Sequence, residues 1–147
     1  MVNPIYACLW YDGNAKEAAA FYCDVFKNSS ITADTPMVVN FEINGRKFMG
    51  LNGGPHFKFN EAVSFVIDCA DQAEVDHYWN NLTANGGEES MCGWLKDKFG
   101  MSWQVVPVVL GALMSRGDQE KAGAMMQALM KMKKPDIAML QAAYDAG

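Results

Sequence analysis

The sequence predicts an α+β fold built from two repeated modules and a helical tail. Three observations carry that expectation. A strand–helix pattern occurs twice at a fixed offset of 57 residues, each time followed by antiparallel strands rather than by another alternating unit. An Asn-Gly pair between two apolar runs marks a hairpin. Composition also changes near Pro107, because sixteen of the seventeen aromatic residues lie at or before Trp103 while six of the eleven methionines lie after Leu113. A chain of 147 residues suits one domain. It divides into module one (1–60), module two (61–107) and C-terminal helices (108–147).

Ile5 to Tyr11 is apolar and aromatic and ends in Asp12-Gly13, as a strand should. A helix follows, with Asn14 as its N-cap and Glu17 three residues on, and Ala15, Ala18, Tyr22, Val25 and Phe26 form its apolar face. Met37 to Leu51 is a hairpin around Asn44-Gly45. A two-residue turn sets Ile43 against Arg46, Glu42 against Lys47, Phe41 against Phe48 and Asn40 against Met49. Asn40, Glu42, Lys47, Met49 and Leu51 then share one face, and Phe41, Ile43 and Phe48 share the other, the side suited to a helix.

The second module opens with the strand Val63 to Cys69. Asp71 caps the next helix, Glu74 stands three residues later, and Val75, Tyr78, Trp79 and Leu82 make its buried stripe. Asn85-Gly86-Gly87 ends it. Two strands, Trp94 to Phe99 and Met101 to Pro107, meet at the tight turn Asp97-Lys98-Phe99-Gly100. In the tail, a helix from Asp118 carries Met125, Met126, Leu129 and Met130 on about one side, Pro135 breaks it, and Ile137 to Tyr144 forms a second short helix.

Hydrophobic residues make up 50% of the chain and charged residues 20%, which excludes a disordered protein. A net charge of −5 excludes nucleic acid and anionic lipid as partners by simple repulsion. No apolar run is long enough to span a bilayer, and no secretory leader is visible, so the cytoplasm is the expected location. Cys8, Cys23, Cys69 and Cys92 contain no C-x-x-C pair and read as free thiols. Cys8 and Cys69 are expected in the core. His56 sits on a loop and His77 on the polar face of the second helix, so neither supports a mechanism.

Three segments carry a resemblance: Trp10-Tyr11-Asp12-Gly13-Asn14-Ala15 with Ala18 and Phe21-Tyr22; Phe48-Met49-Gly50-Leu51-Asn52-Gly53-Gly54-Pro55; and Gly93-Trp94-Leu95-Lys96-Asp97-Lys98-Phe99-Gly100 with Trp103-Gln104. In them the chain resembles the vicinal oxygen chelate superfamily of glyoxalases, bleomycin-resistance proteins and dioxygenases. Within it the likeness is to the PhnB-like branch labelled 3-demethylubiquinone-9 3-methyltransferase. The resemblance implies two βαβββ modules enclosing a glyoxalase-like sheet cavity, and a homodimer. In metal-binding members each module gives two ligands to one divalent ion, and those places fall here on Ala7, Met49, Ser64 and Gln104. None is a histidine or carboxylate, so no metal and no cofactor is expected. A methyl-donor site lacks its glycine-rich turn between strand and helix, since Gly53-Gly54 precedes Pro55 and Gly86-Gly87 follows a helix.

The cavity lining then combines apolar Leu9, Tyr11, Met49, Leu51, Val66 and Val106 with polar Asn40, Glu42, Lys47, Ser64, Asp68, Ser102 and Gln104, the usual form of a small-molecule site. Asp68 is the one candidate general base. Trp10, Trp79 and Trp103 are assigned to the cores between sheet and helix. Three functions remain open from sequence: a metal-free small-molecule binder, a metal-independent enzyme acting through Asp68, Ser64 or Gln104, and a structural dimer with a vestigial cleft. The methionine stripe of the tail, left in water, would be an apolar patch, and it supports the homodimer.

Overall fold

The computed structural model describes residues 3–147, which form one unit ending at Phe59 and a second, Asn60–Gly147. The first contains β1 (Ala7–Tyr11), α1 (Ala15–Val25), β2 (Ser29–Asp34), β3 (Val38–Ile43) and β4 (Arg46–Asn52). Its sheet runs β1-β4-β3-β2, with β1 parallel to β4 and the other pairs antiparallel. The hairpin register is the one the Asn-Gly turn dictates, from Ile43 opposite Arg46 to Asn40 opposite Met49. Asn44 and Gly45 take φ of 51° and 78°, the left-handed pair that such a turn needs.

The buried side of α1 is Ala15, Ala18, Ala19, Tyr22 and Val25. It covers the sheet face carrying Val39, Phe41 and Phe48, with Tyr22 and Phe41 ring centroids 5.9 Å apart. Asn14 stands at the N-cap, but its side chain makes no capping bond. Asn52 does the work from the end of β4, its Oδ1 accepting from the Ala15 N–H at 2.9 Å. β2 had no signal in the sequence. Its polar Ser29-Ser30-Ile31-Thr32-Ala33-Asp34 run is an edge strand with a register shift between Ile31 and Ala33, and with most of its residues exposed it carries no apolar alternation to read.

The second unit repeats the order with β5 (Ser64–Cys69), α2 (Gln72–Leu82), β6 (Glu88–Glu89), β7 (Trp94–Lys96) and β8 (Ser102–Pro107), arranged β5-β8-β7-β6 with β5 parallel to β8. Asp71 caps α2 by accepting from Glu74 N–H, and Glu74 Oε2 accepts from Ala70 N–H, so the expected box closes with a one-residue offset. The helix stops at Leu82, before the left-handed Asn85-Gly86 pair. Val75, Trp79 and Leu82 bury against the face of Leu95, Trp103 and Val105. Trp79 and Trp103 thus lie in the helix-covered core.

Three helices complete this unit: α3 (Val108–Met114), α4 (Gln119–Met130) and α5 (Ile137–Ala146). Met125 and Leu129 do not form an open stripe, because they bury with Leu110, Leu113, Leu140 and Tyr144, and Met126 packs against the same cluster. Of the four stripe residues only Met130 remains largely exposed. The tail therefore covers itself, which removes the argument for a dimer from an open methionine stripe. Cys92 and Gly93 N–H groups donate to Met132 and Lys133 carbonyls at 2.8 and 3.0 Å, pinning the tail beside β7. Gly93 is required there: its φ is +84°, and a Cβ would lie 2.6 Å from the Val105 carbonyl oxygen. Among the described residues no helix is long and apolar enough to cross a membrane.

Candidate functional site

Each sheet has one face covered by its helix and one face free of it. In the first unit the free face carries Asn40, Glu42, Lys47 and Met49, as their alternation requires. The β1 register corrects the sequence assignment. Cys8 pairs with Met49 and Trp10 with Leu51, whereas Leu9 pairs with Gly50 and Ala7 with Phe48. Leu9 and Tyr11 are consequently buried on the helix side, not in a cleft lining, and Cys8, expected in the core, is exposed. A parallel neighbour sets which way a strand faces, and β1 alone, apolar on both sides, gives no sign of it.

Trp10 is likewise not beneath α1. Its indole N–H donates to the Gly54 carbonyl at 2.8 Å, and its ring meets Phe57 edge-on at 4.8 Å. A Cβ on Gly53 would fall 2.3 Å from that ring, so the Gly53-Gly54 pair is explained by close approach to an indole. Lys47 places its ammonium 4.2 Å from the Tyr6 ring centroid. Asn40 Oδ1 is buried without a hydrogen-bond partner among the described residues.

The free face of the second sheet is organised in rows by its register. Glu88 pairs with Lys96, Lys96 with Ser102, and Ser102 with Ser64; in the neighbouring row Trp94 pairs with Gln104 and Gln104 with Val66. Ser64, Asp68, Ser102 and Gln104 therefore do share a face, as alternation anticipated. Gln104 Nε2 donates to Ser64 Oγ at 2.9 Å. Asp68 lies exposed toward the strand's end, next to water.

Beside this row is a cavity of about 200 Å³ lined by Glu61, Glu88, Glu89, Ser90, Trp94, Lys96 and Ser102, with Leu95 behind them. Lys96 pairs with Glu61, which holds the Glu61 carboxyl below the usual carboxylate range and raises the lysine. Glu89 Oε1 accepts from the Trp79 indole N–H at 2.9 Å. Ser102 is 1% exposed, and its Oγ has no hydrogen-bond partner among the described residues. Trp94, Lys96, Glu61 and Glu88 were not anticipated as site residues. Lys96 and Trp94 could have been found by running the alternation back through the Asp97–Gly100 turn. Glu61 and the two-residue β6 leave no periodic signal.

A wider groove of about 720 Å³ lies along α2 and α5, with Gln72, Asp76, Lys134 and Pro135 among its lining. Its polar groups hold the tail: Gln72 bonds Asp76, the Pro135 carbonyl and the Ile137 N–H, and Lys134 pairs with Asp76 at 3.1 Å. The histidines are both exposed, and His77 ring-packs on Tyr78.

A profile of the 3-demethylubiquinone-9 3-methyltransferase family matches residues 3–106. The chain belongs to this family. Among solved structures it is similar to a PhnB protein of Bacillus cereus bearing the same methyltransferase description, at 28% identity and a TM-score of 0.65, over 71% of this chain and 99% of that one. It is similar in fold to a Pseudomonas aeruginosa protein, with 20% identity, TM-score 0.61 and coverage of 72% and 98%. A third likeness in fold is to the fosfomycin resistance protein FosX of Listeria monocytogenes, solved with Mn(II) and sulfate, at 14% identity, TM-score 0.57 and coverage of 73% and 90%. No curated protein gives a match. Together these neighbours show a glyoxalase-like α+β fold, the fold of the vicinal oxygen chelate superfamily that the sequence resembles.

The divalent metal of that superfamily does not fit these residues. On the first sheet the residue opposite Met49 is Cys8, a thiol beside a thioether, which suits soft ions rather than oxygen- and imidazole-seeking ones. On the second, Ser64 and Gln104 are neutral and hydrogen-bonded to each other. Among the described residues no three His, Cys, Asp or Glu side chains stand together to hold an ion.

Proposed function

We propose that this family member binds a small molecule on the free face of its second sheet without a metal ion. The Gln104–Ser64 hydrogen bond carries the reading: at the two positions where the superfamily pattern puts ligands, this chain has two neutral groups already paired. Next to them a half-enclosed cavity presents an aromatic ring, hydroxyls and charges, the mixture that orients a small ligand. Methyl transfer draws no support from the glycines, since Gly53 gives way to an indole and Gly86-Gly87 follows α2 rather than opening a helix.

A homodimer is part of the same proposal: the resemblance implies one, each sheet has a face free of its helix, and a unit of this size gains stability by covering that face. Light scattering on the purified chain should give twice the monomer mass.

The binding test is a thermal-shift screen of a metabolite library against full-length protein dialysed with chelator. A ligand that binds only the native state raises stability by about 2.7 kcal/mol at a hundredfold excess over Kd. Hits that persist in chelator and disappear in Gln104→Leu are expected. Hits that require added metal, or none across the library, would contradict the proposal.

A further inference from the structure

We infer that the cavity beside Ser102 is a subsite for a ligand carrying a positively charged amine. This builds on the binding role proposed above and assigns the charge of what binds. Glu88, Lys96 and Ser102 lie in one row across β6, β7 and β8, and Glu61 reaches the same lysine from the segment before β5. The lining thus offers the cavity two carboxylates, Glu61 and Glu88, and one ammonium, while Glu89 turns its carboxylate to the Trp79 indole. Lys96 is already engaged by Glu61 and also feels Glu88, so an incoming anion would have to displace one carboxylate and sit beside the other. A cation meets the opposite situation.

The second, independent sign is Ser102. A hydroxyl 1% exposed and unpartnered is uncommon in a native fold, because burial without a hydrogen bond is costly. It lines the cavity, where a ligand's donor or acceptor would satisfy it. Trp94 lines the same space and offers an indole, the aromatic that attracts a cation most strongly. At about 200 Å³ the space suits one small ring with a short amine arm; an apolar cavity of about 150 Å³ accepts benzene.

The test titrates the full-length protein, in chelator, with benzylamine, benzyl alcohol and benzoate, which share a ring and differ in charge. Benzylamine should raise the melting temperature most and benzoate least, with the benzylamine effect falling as salt rises. Glu88→Gln and Ser102→Ala should each weaken benzylamine about tenfold, the loss of one charge-assisted or buried contact. Ser102→Ala removes only an unpartnered hydroxyl, so an unchanged or higher melting temperature shows that the fold survives. Benzoate binding as tightly as benzylamine would overturn the inference, as would benzylamine binding that both variants leave intact or no binding by any of the three. Library hits that are neutral or anionic, sensitive to Gln104→Leu and indifferent to Glu88→Gln, would sink the amine assignment while leaving metal-free binding standing. An empty library screen would sink both.

Discussion

Gln104 and Ser64 stand on adjacent parallel strands and hold each other through one hydrogen bond of 2.9 Å, the Gln104 amide donating to the Ser64 hydroxyl, so the central polar pair of the second sheet is joined directly. A neutral, half-buried bond of this kind contributes about 0.5–1.5 kcal/mol. Gln104→Leu should therefore cost little stability and much ligand affinity. Parallel melting and binding curves check it; a collapse of the fold in Gln104→Leu would make the pair a structural one.

Asp97 is the strongest polar anchor of the second unit. Its buried carboxylate accepts from Phe99 and Met101 N–H groups at 2.9 and 3.1 Å and from the Trp103 indole at 2.8 Å. Asp97→Ala strands three donors, and unsatisfied groups cost about 1–3 kcal/mol each. Denaturant unfolding should show a loss above about 3 kcal/mol, comparable with the 3–5 kcal/mol typical of a buried Trp→Ala change such as Trp103→Ala. Wild-type stability in either variant would refute the assignment.

Gly53 makes a sharper point, because the space for its missing side chain is filled by the Trp10 ring. Gly53→Ala should destabilise by about 1–3 kcal/mol through overpacking. Adding Trp10→Phe, which shrinks the ring, should return part of that loss. Additive losses in the double variant would show that the two residues do not meet.

The cysteines separate by environment. Cys8 is exposed, whereas Cys69 is buried and its thiol is pushed up to about 12 from an ordinary value of 9.0, chiefly by burial and then by Glu74, Asp68 and Asp71. An aromatic disulfide reagent at pH 8 should label Cys8 rapidly and Cys69 only after unfolding. The raised value also fixes a pH trend. The protonated Cys69 contributes stability that is complete below pH 9 and is lost as pH rises toward 12, since the unfolded thiol ionises first. Rapid native labelling of Cys69, or stability rising from pH 9 to 11, would contradict this.

Much of the fold was legible because local rules agreed with one another. Asn44-Gly45 set a register to the residue, and Asp71 with Glu74 announced α2. The failures share a cause in contacts distant in sequence. Leu9 and Tyr11 were placed on the wrong face because β1 is apolar on both sides and only its parallel partner β4 decides which side meets α1. Asn14 ceded its capping role to Asn52, 37 residues away. The methionine stripe found its cover in α3 and α5 of its own unit. Of the site, Ser64, Ser102 and Gln104 followed from alternation, while Glu61 and Glu88 sit where no period reaches.

The central claim is that this family member's binding face has no use for a divalent ion, and calorimetric titration of Mn(II), Ni(II) and Zn(II) into chelator-stripped protein tests it most directly. Neither Cys8 with Met49 on the first sheet nor Ser64 with Gln104 on the second offers an ion an imidazole or a carboxylate, so no stoichiometric isotherm at micromolar metal and no rise in melting temperature are expected. A one-to-one isotherm for any of the three ions, abolished by Gln104→Ala, would contradict it.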